Sequence, residues 1–261
     1  MKVIILAGGL GTRISEESHL RPKPMIEIGG RPILWHIMDI FGRQGATDFI
    51  ICAGYRGYMI KEYFANYVLH CSDVTIDLAA HSVSYHRNAA EPWRVTIIDT
   101  GADTLTGGRL KRITHLLTED ETVLMTYGDG VADISVDKLL EFHRRQGRAA
   151  TLTAVKPPGR YGSTLIENGL VTRFEEKVPG DGGYINGGFF ALERSAFDTI
   201  AGDATAWEAE PLQTLARTGQ LAAYQHDGFW HAMDTLRDKN YLESLWQGGA
   251  APWQGQPDAK G

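Results

Sequence analysis

Gly8, Gly9 and Gly11, with Thr12 and Arg13 directly after them and Lys23 held between Pro22 and Pro24, make the stretch of this chain best suited to chemistry. Glycine lets the backbone come close to a ligand, and its unshielded N–H groups suit phosphate oxygens. Arg13 and Lys23 add positive charge, so residues 3–25 outline a site for a nucleoside triphosphate. The stretch fits neither of the commoner phosphate loops. The dinucleotide fingerprint needs a third glycine that opens a helix, where this chain has Ile14. The Walker form needs Gly-Lys-Ser or Gly-Lys-Thr, where this chain reads Gly11-Thr12-Arg13. A glycine turn alone is equally a tight strand-to-loop connection, and it is the basic residues and the Pro-Lys-Pro brace that favour a ligand.

Two distant acids add to this. Asp129 lies between Gly128 and Gly130 at the end of an apolar run, which places it at the carboxyl edge of a sheet, where open α/β folds bind ligands. A turn aspartate is the plainer reading of Asp129 taken alone. Asp234 stands before a helix, but Thr235 with Asp238 already forms a capping-box pattern, so Asp234 is not needed as the cap. Two carboxylates on separate loops suit Mg²⁺, a hard cation that prefers oxygen. Thr104 to Arg109 form a second glycine turn: either an ordinary helix start capped by Thr106, or a helix N-terminus and guanidinium that receive a phosphate or a base edge. Asn186-Gly187-Gly188 interrupts an apolar strand, which marks close approach by another group. Glu176-Lys177 reads by itself as solvated surface. The nine histidines have no metal-ligand spacing, and no serine sits in a nucleophile elbow.

The elements that must position these groups follow from periodicity. Strands are expected at 3–7, 48–53, 94–99, 122–127, 150–155, 184–192 and 221–225, and helices from Pro32 through Phe41 and at 59–68, 109–117, 136–146, 210–218 and 236–246. Short strands around a turn at 73–78 and 83–85, and a hairpin at 163–166 and 170–175 turned at Asn168-Gly169, depart from the alternation. Alternating strands and helices imply a parallel sheet covered on both faces. The Gly-, Pro- and Ala-rich tail after about 248 reads as poorly ordered.

A net charge of −6 over 261 residues argues against a nucleic-acid surface or a basic membrane patch, so an anionic ligand must be met locally. Two cysteines are too few for a disulfide scaffold and fit a reducing, cytoplasmic setting. Gly8 and Gly9 break the N-terminal apolar run below signal-peptide length, and no stretch is long enough to span a membrane.

Leu6-Ala7-Gly8-Gly9-Leu10-Gly11-Thr12-Arg13 with Lys23-Pro24-Met25 resembles the signature of the sugar-phosphate nucleotidyltransferases, the nucleoside-diphosphate-sugar pyrophosphorylases. Residues 28–38, 60–67, 99–101, 106–112, 126–133, 185–190 and 233–239 follow the same family, fading at 78–88, 164–171 and the tail. The resemblance implies one Rossmann-like α/β domain over 1–261, with a mixed, mostly parallel sheet flanked by helices and small β excursions. It puts the nucleotide on Leu6, Ala7, Gly8, Gly9, Leu10, Gly11, Thr12, Arg13, Lys23, Thr104, Arg109 and Gly128. It puts the sugar phosphate on Gly162, Glu176, Lys177 and Asn186, and Mg²⁺ on Asp129 and Asp234, with Arg13, Lys23 and Asp129 as the catalytic residues. Glu176-Lys177-Val178 departs from the family's usual Glu-Lys-Pro, and His231-Ala232 departs from its nearer members; both bear on sugar preference.

Within the family the blocks are most similar to members that join CTP and glucose 1-phosphate into CDP-glucose, which feeds dideoxysugar synthesis for surface polysaccharide such as O-antigen. Use of UTP, dTTP or GTP, or of another sugar, is the nearest rival. A non-catalytic, nucleotide-binding regulatory subunit is a rival from another class, disfavoured by the joint presence of Arg13, Lys23, Asp129 and Asp234. The resemblance also implies a homo-oligomer, such as a hexamer, with residues 55–100 contributing contacts.

Overall fold

The computed structural model describes residues 1–9, 11, 14, 21–118, 121–157, 163–167, 170–175 and 183–255, with backbone alone for 88, 163–167 and 170–175. The first strand, β1 (Lys2–Ala7), consists almost wholly of side chains that leave water. Val3, Ile5 and Ala7 enter one apolar core, and Ile4 and Leu6 enter a second on the opposite face. This is the period of two that an extended chain imposes. Each fully buried Val or Ile contributes about 1.5–3 kcal/mol relative to exposure.

Around β1 the sheet grows from β4 (Asp48–Ala53), β7 (Arg94–Asp99), β8 (Val123–Tyr127), β10 (Ala150–Val155), β13 (Ile185–Leu192) and β14 (Leu221–His226), in the order β14-β10-β13-β8-β1-β4-β7. Only β13 runs against its neighbours; the other pairings are parallel. Helices α1 (Ile33–Gly42), α5 (Val136–Gln146) and α7 (Leu236–Gln247) supply the first core with residues such as Ile37, Leu140 and Leu242. Helices α4 (Thr106–Arg112) and α6 (Glu210–Arg217) supply the second with Leu110 and Leu215. The mixed, mostly parallel α/β sheet expected from the sequence is the fold found. Two-stranded excursions complete it: β2 (Glu27–Ile28) with β3 (Arg31–Pro32), β5 (Ser72–Asp77) with β6 (Ser82–Asn88), β9 (Gly130–Ala132) with β15 (Trp230–Ala232), and β11 (Ser163–Glu167) with β12 (Leu170–Glu175).

Three expectations need correction. The helix expected at 59–68 is two pieces, α2 (Gly57–Ala65) and α3 (Tyr67–His70). Between them Asn66 leaves helical geometry, and its side-chain amide donates to the Glu62 carbonyl 2.9 Å away. An asparagine that satisfies a terminal carbonyl competes with helix continuation. The helix expected at 109–117 starts at Thr106 and ends at Arg112, followed by a separate 3₁₀ turn at Thr114–Leu116. The tail is not loose up to residue 255. Trp253 is 2% exposed, stacks on Phe229 and donates through Nε1 to His36 Nδ1 at 3.3 Å. Residues 256–261 lie outside the described residues.

Both cysteines are free thiols, and burial pushes Cys52 up to about 12, so it serves as a core side chain. No helix among the described residues is long and apolar enough to cross a membrane.

His36 is fully enclosed, with Nε2 2.8 Å from the Ile28 carbonyl and its ring edge-on to Trp246. Burial first, then Arg31 and Arg43, push its pKa down to about 4. An unfolded histidine titrates near 6.5, so below that pH the unfolded chain takes up a proton that the native site refuses. Stability therefore falls as pH drops from about 6.5 toward 4, by about 3 kcal/mol for this group. Urea midpoints across that window check the loss, which is smaller in His36→Gln. An imidazole resonance of His36 that titrates near 6.5 in the native protein overturns it.

Candidate active site

The carboxyl ends of β1 and β8, side by side at the middle of the sheet, open into a cleft of about 610 Å³. Strands on either side of this point lead to connections that leave in opposite directions, and ligands settle at such switch points. Leu6, Ala7, Gly8, Gly9, Gly11, Thr104, Arg109, Gly128 and Asp129 line the cleft. Lys23 joins them from a 3₁₀ turn, Lys23–Met25, in which the two prolines fix the chain and Pro24 packs close against Gly128.

The turn at Lys23 and the two acids converge. Strands β9 and β15 pair antiparallel, with Ala232 opposite Gly130, and the Met233 N–H donates to the Asp129 carbonyl at 2.8 Å. This short ladder brings Asp129 and Asp234 together across more than one hundred residues of chain. Lys23 Nζ donates to Asp129 Oδ2 at 2.7 Å and to Asp234 Oδ1 at 2.8 Å. The lysine side chain is 12% exposed, against 32% for Asp129 and 23% for Asp234. Burial works against the ammonium charge, yet the two carboxylates outweigh it and hold the Lys23 pKa above its ordinary value.

On the far side of these acids lies a second cavity of about 280 Å³, walled by Tyr127, Asn186 and Trp230. Asp129, Asp234 and Tyr127 line both cavities, so the acids stand on the seam. Asn186 Nδ2 donates to the Tyr127 hydroxyl at 3.4 Å, and its Oδ1 accepts from the Gly188 N–H at 2.9 Å. Burial first, then the nearby Glu208 carboxylate, push the Tyr127 phenol well above its usual range and keep it neutral. Trp230 Nε1 donates to the Gly187 carbonyl at 2.7 Å.

The close approach expected at Asn186-Gly187-Gly188 is therefore made by protein groups. A Cβ on Gly188 would fall 2.6 Å from Tyr127 Cδ2, and the residue has a φ of +80°, in the range that favours glycine. Gly188→Ala is expected to lower stability by about 1–3 kcal/mol through strain and displacement of the Tyr127 ring. A urea midpoint unchanged from the parent refutes that expectation.

Arg109 lines the cleft and is also held by the protein around it. It is 4% exposed, and Nη1 donates to the Ala53 carbonyl at 3.1 Å, Thr100 Oγ1 at 2.7 Å and the Gly101 carbonyl at 2.8 Å. Nη2 donates to the carbonyls of Gly8 at 3.0 Å and Ala102 at 3.3 Å. One guanidinium thus braces the ends of β1, β4 and β7, and Gly8 and Gly54 lack side chains where it passes. Its terminal nitrogens are engaged by the protein while the residue lines the cleft.

The helix start beside Arg109 is likewise occupied. Leu105 N–H donates to the Asp203 carbonyl and Gly108 N–H to the Thr205 carbonyl. Gly107 and Gly108 let α4 lie directly on that backbone. Thr106 is the first helical residue and not the cap; its hydroxyl donates to Glu208 Oε2 at 2.6 Å.

The structure brings Leu6, Ala7, Gly8, Gly9, Gly11, Lys23, Thr104, Arg109, Gly128, Asp129 and Asp234 to one cleft, and Asn186 to its neighbour. Leu10, Thr12, Arg13, Gly162, Glu176 and Lys177, also named from the sequence, lie outside the described residues. Tyr127, Glu208 and Trp230 were not singled out. Tyr127 had a signal, as the residue next to Gly128-Asp129, whereas Glu208 and Trp230 become visible only when distant loops meet. Among the described residues no group of three or more His, Cys, Asp or Glu side chains could hold a metal by itself.

A cleft built on a glycine loop, joined across two carboxylates to a second polar cavity, suits two anionic substrates better than one. Comparison with known proteins agrees. The chain is 58% identical over 254 residues to a glucose-1-phosphate cytidylyltransferase of Salmonella typhi, covering 97% of this chain and 99% of that one. It is 30% identical to a mannose-1-phosphate guanyltransferase of Debaryomyces hansenii, over 93% of this chain and 63% of the relative. HddC from Yersinia pseudotuberculosis shares the fold, with a TM-score of 0.69 at 24% identity over 94% of this chain and 99% of that chain. With the nucleotidyl transferase family model also matching residues 2–235, from β1 through Asp234 and the cap that follows it, this chain belongs to the nucleotidyl transferase family.

Proposed function

We propose that the protein transfers the cytidylyl group of CTP to α-D-glucose 1-phosphate, giving CDP-glucose and pyrophosphate. The observation that carries the reading is the seam: Asp129 and Asp234 line both cavities and already converge on a cation, the Lys23 ammonium. The 58% identity to a glucose-1-phosphate cytidylyltransferase, against 30% to a guanyltransferase, supports cytosine as the base and glucose as the sugar.

A phosphate oxygen of the sugar phosphate attacks the α-phosphorus of CTP. The new oxygen–phosphorus bond forms as the bond from that phosphorus to the bridging oxygen breaks, and pyrophosphate leaves with the electron pair. No protein nucleophile is required, and positioning with charge neutralisation provides the catalysis. The amides at Gly8, Gly9 and Gly11, with Arg13, hold the triphosphate, and Arg109 fixes the loop by gripping the Gly8 carbonyl. Lys23 neutralises charge on the reacting phosphates, and Asn186 orients the sugar phosphate with help from Tyr127.

Two carboxylates that meet around a positive charge fit Mg²⁺, which takes one or two carboxylates and completes its shell with water and substrate phosphates. Asp129 and Asp234 hold it, and it supplies charge stabilisation on the phosphate oxygens. Glu176, Lys177 and Gly162 complete the sugar side in this proposal. A homo-oligomer is part of it too: the β5–β6 hairpin exposes Ile76, Leu78, Val83 and Tyr85, apolar surface that another subunit can cover.

Pyrophosphate release measured with CTP, UTP, dTTP and GTP against a panel of sugar 1-phosphates, with and without Mg²⁺, tests the reading. CTP with glucose 1-phosphate is expected to give the highest kcat/KM. Equal rates with another nucleotide refute the base assignment.

A further inference from the structure

The carboxylate of Asp238 makes more bonds than a helix cap requires. A capping box needs a side chain at the fourth position to accept one backbone N–H from the cap residue, and Asp238 Oδ2 does so from Thr235 at 2.8 Å. The same oxygen also accepts the N–H of Asp234 at 3.1 Å and the Thr235 hydroxyl at 2.8 Å. Its other oxygen, Oδ1, lies 3.1 Å from His231 Nε2.

His231 sits on β15, the strand that pairs with β9 and so carries the register between the two acids of the seam. Its ring rests against Tyr241 of α7, with centroids 4.8 Å apart. One carboxylate therefore ties β15, the backbone of Asp234 and the first turn of α7 into a single unit. Both side chains are largely enclosed, at 12% and 13% exposure, so these bonds are little weakened by solvent.

We propose that Asp238, with His231 on its second oxygen, is a positioning pair that fixes the backbone of Asp234 so that its carboxylate meets the divalent cation. The inference rests on the reading of Asp234 as a cation ligand. Outer partners that orient a ligating group typically change metal affinity by about 10–100-fold when removed.

The test is direct Mn²⁺ binding to the purified protein, followed by electron paramagnetic resonance, beside the Mg²⁺ concentration needed for half-maximal turnover. Asp238→Asn and His231→Ala are each expected to weaken Mn²⁺ binding about tenfold and to raise the Mg²⁺ midpoint similarly, with the turnover deficit shrinking as Mg²⁺ rises. His231→Gln, which can still donate to Oδ1, is expected to restore most of the binding. Thr235→Val removes the cap while sparing the His231–Asp238 and Asp234–Asp238 bonds, so it is expected to lower the thermal midpoint and leave Mn²⁺ binding in place. If Asp238→Asn fails to fold, His231→Ala decides. Asp234→Asn, run in parallel, separates the two layers. Unchanged Mn²⁺ binding in Asp238→Asn and His231→Ala, with binding lost in Asp234→Asn, overturns the positioning role alone. Unchanged binding in Asp234→Asn overturns the cation reading and the inference with it.

Discussion

Asp129→Asn is expected to lower kcat/KM by a hundredfold or more and to leave the fold in place. The side chain keeps its size and loses its charge at the seam where both cavities and Lys23 meet. Its structural duty lies in the backbone: the Asp129 carbonyl accepts from Met233, and β9 pairs with β15 through main-chain groups that the substitution does not touch. The loss therefore falls on charge stabilisation, where removing one contact made mainly in the transition state costs about 3 kcal/mol or more. Pyrophosphate release and circular dichroism measured together separate activity from folding. Near-normal turnover sinks the assignment of Asp129, and a collapsed spectrum shows that the residue is structural.

The sequence made the first half of the molecule readable because its local and global signals agree. Val3 to Ala7 and Phe49 to Ala53 are apolar throughout, as strands buried on both faces must be, and the structure pairs them residue for residue. The capping box at Thr235 and Asp238 was equally plain, which is why Asp234 could be released from a cap role and considered for chemistry. Arg109 was harder. Its neighbours Gly107 and Gly108 look like a phosphate-receiving turn, but they are there because the backbone of 203–205 lies against them, a contact between segments nearly one hundred residues apart. Nothing local announces such a contact.

The tail misled for the same reason. Glycine, proline and alanine suggest looseness, while one residue, Trp253, finds Phe229 and His36 and anchors the segment. The second cavity was the least legible part of the site. Asn186 was found because glycines broke a strand, but Tyr127, Glu208 and Trp230 act through partners that only the assembled sheet edge brings near. Chemistry that depends on one loop is readable from sequence, and chemistry that depends on loops meeting is readable mainly when a family pattern marks both.

Lys23→Met is expected to move two properties in opposite directions. Turnover falls by about a hundredfold or more, because an ammonium placed to neutralise the reacting phosphates is gone. Binding of a divalent cation by the free protein tightens, because in the parent the same ammonium occupies both carboxylates at 2.7 and 2.8 Å. Without it, two carboxylates face each other across a partly enclosed seam, and their repulsion is relieved by the next cation to arrive. Methionine is close to lysine in length and keeps the apolar stem packed. The ion-pair loss then appears as lower thermal stability in metal-free buffer and recovers as Mn²⁺ is added. A Mn²⁺ titration of both proteins without nucleotide, beside turnover at saturating Mg²⁺, reads the two effects. Weaker Mn²⁺ binding in Lys23→Met shows that the lysine does not compete for the carboxylates, and that the cation sits elsewhere than between Asp129 and Asp234.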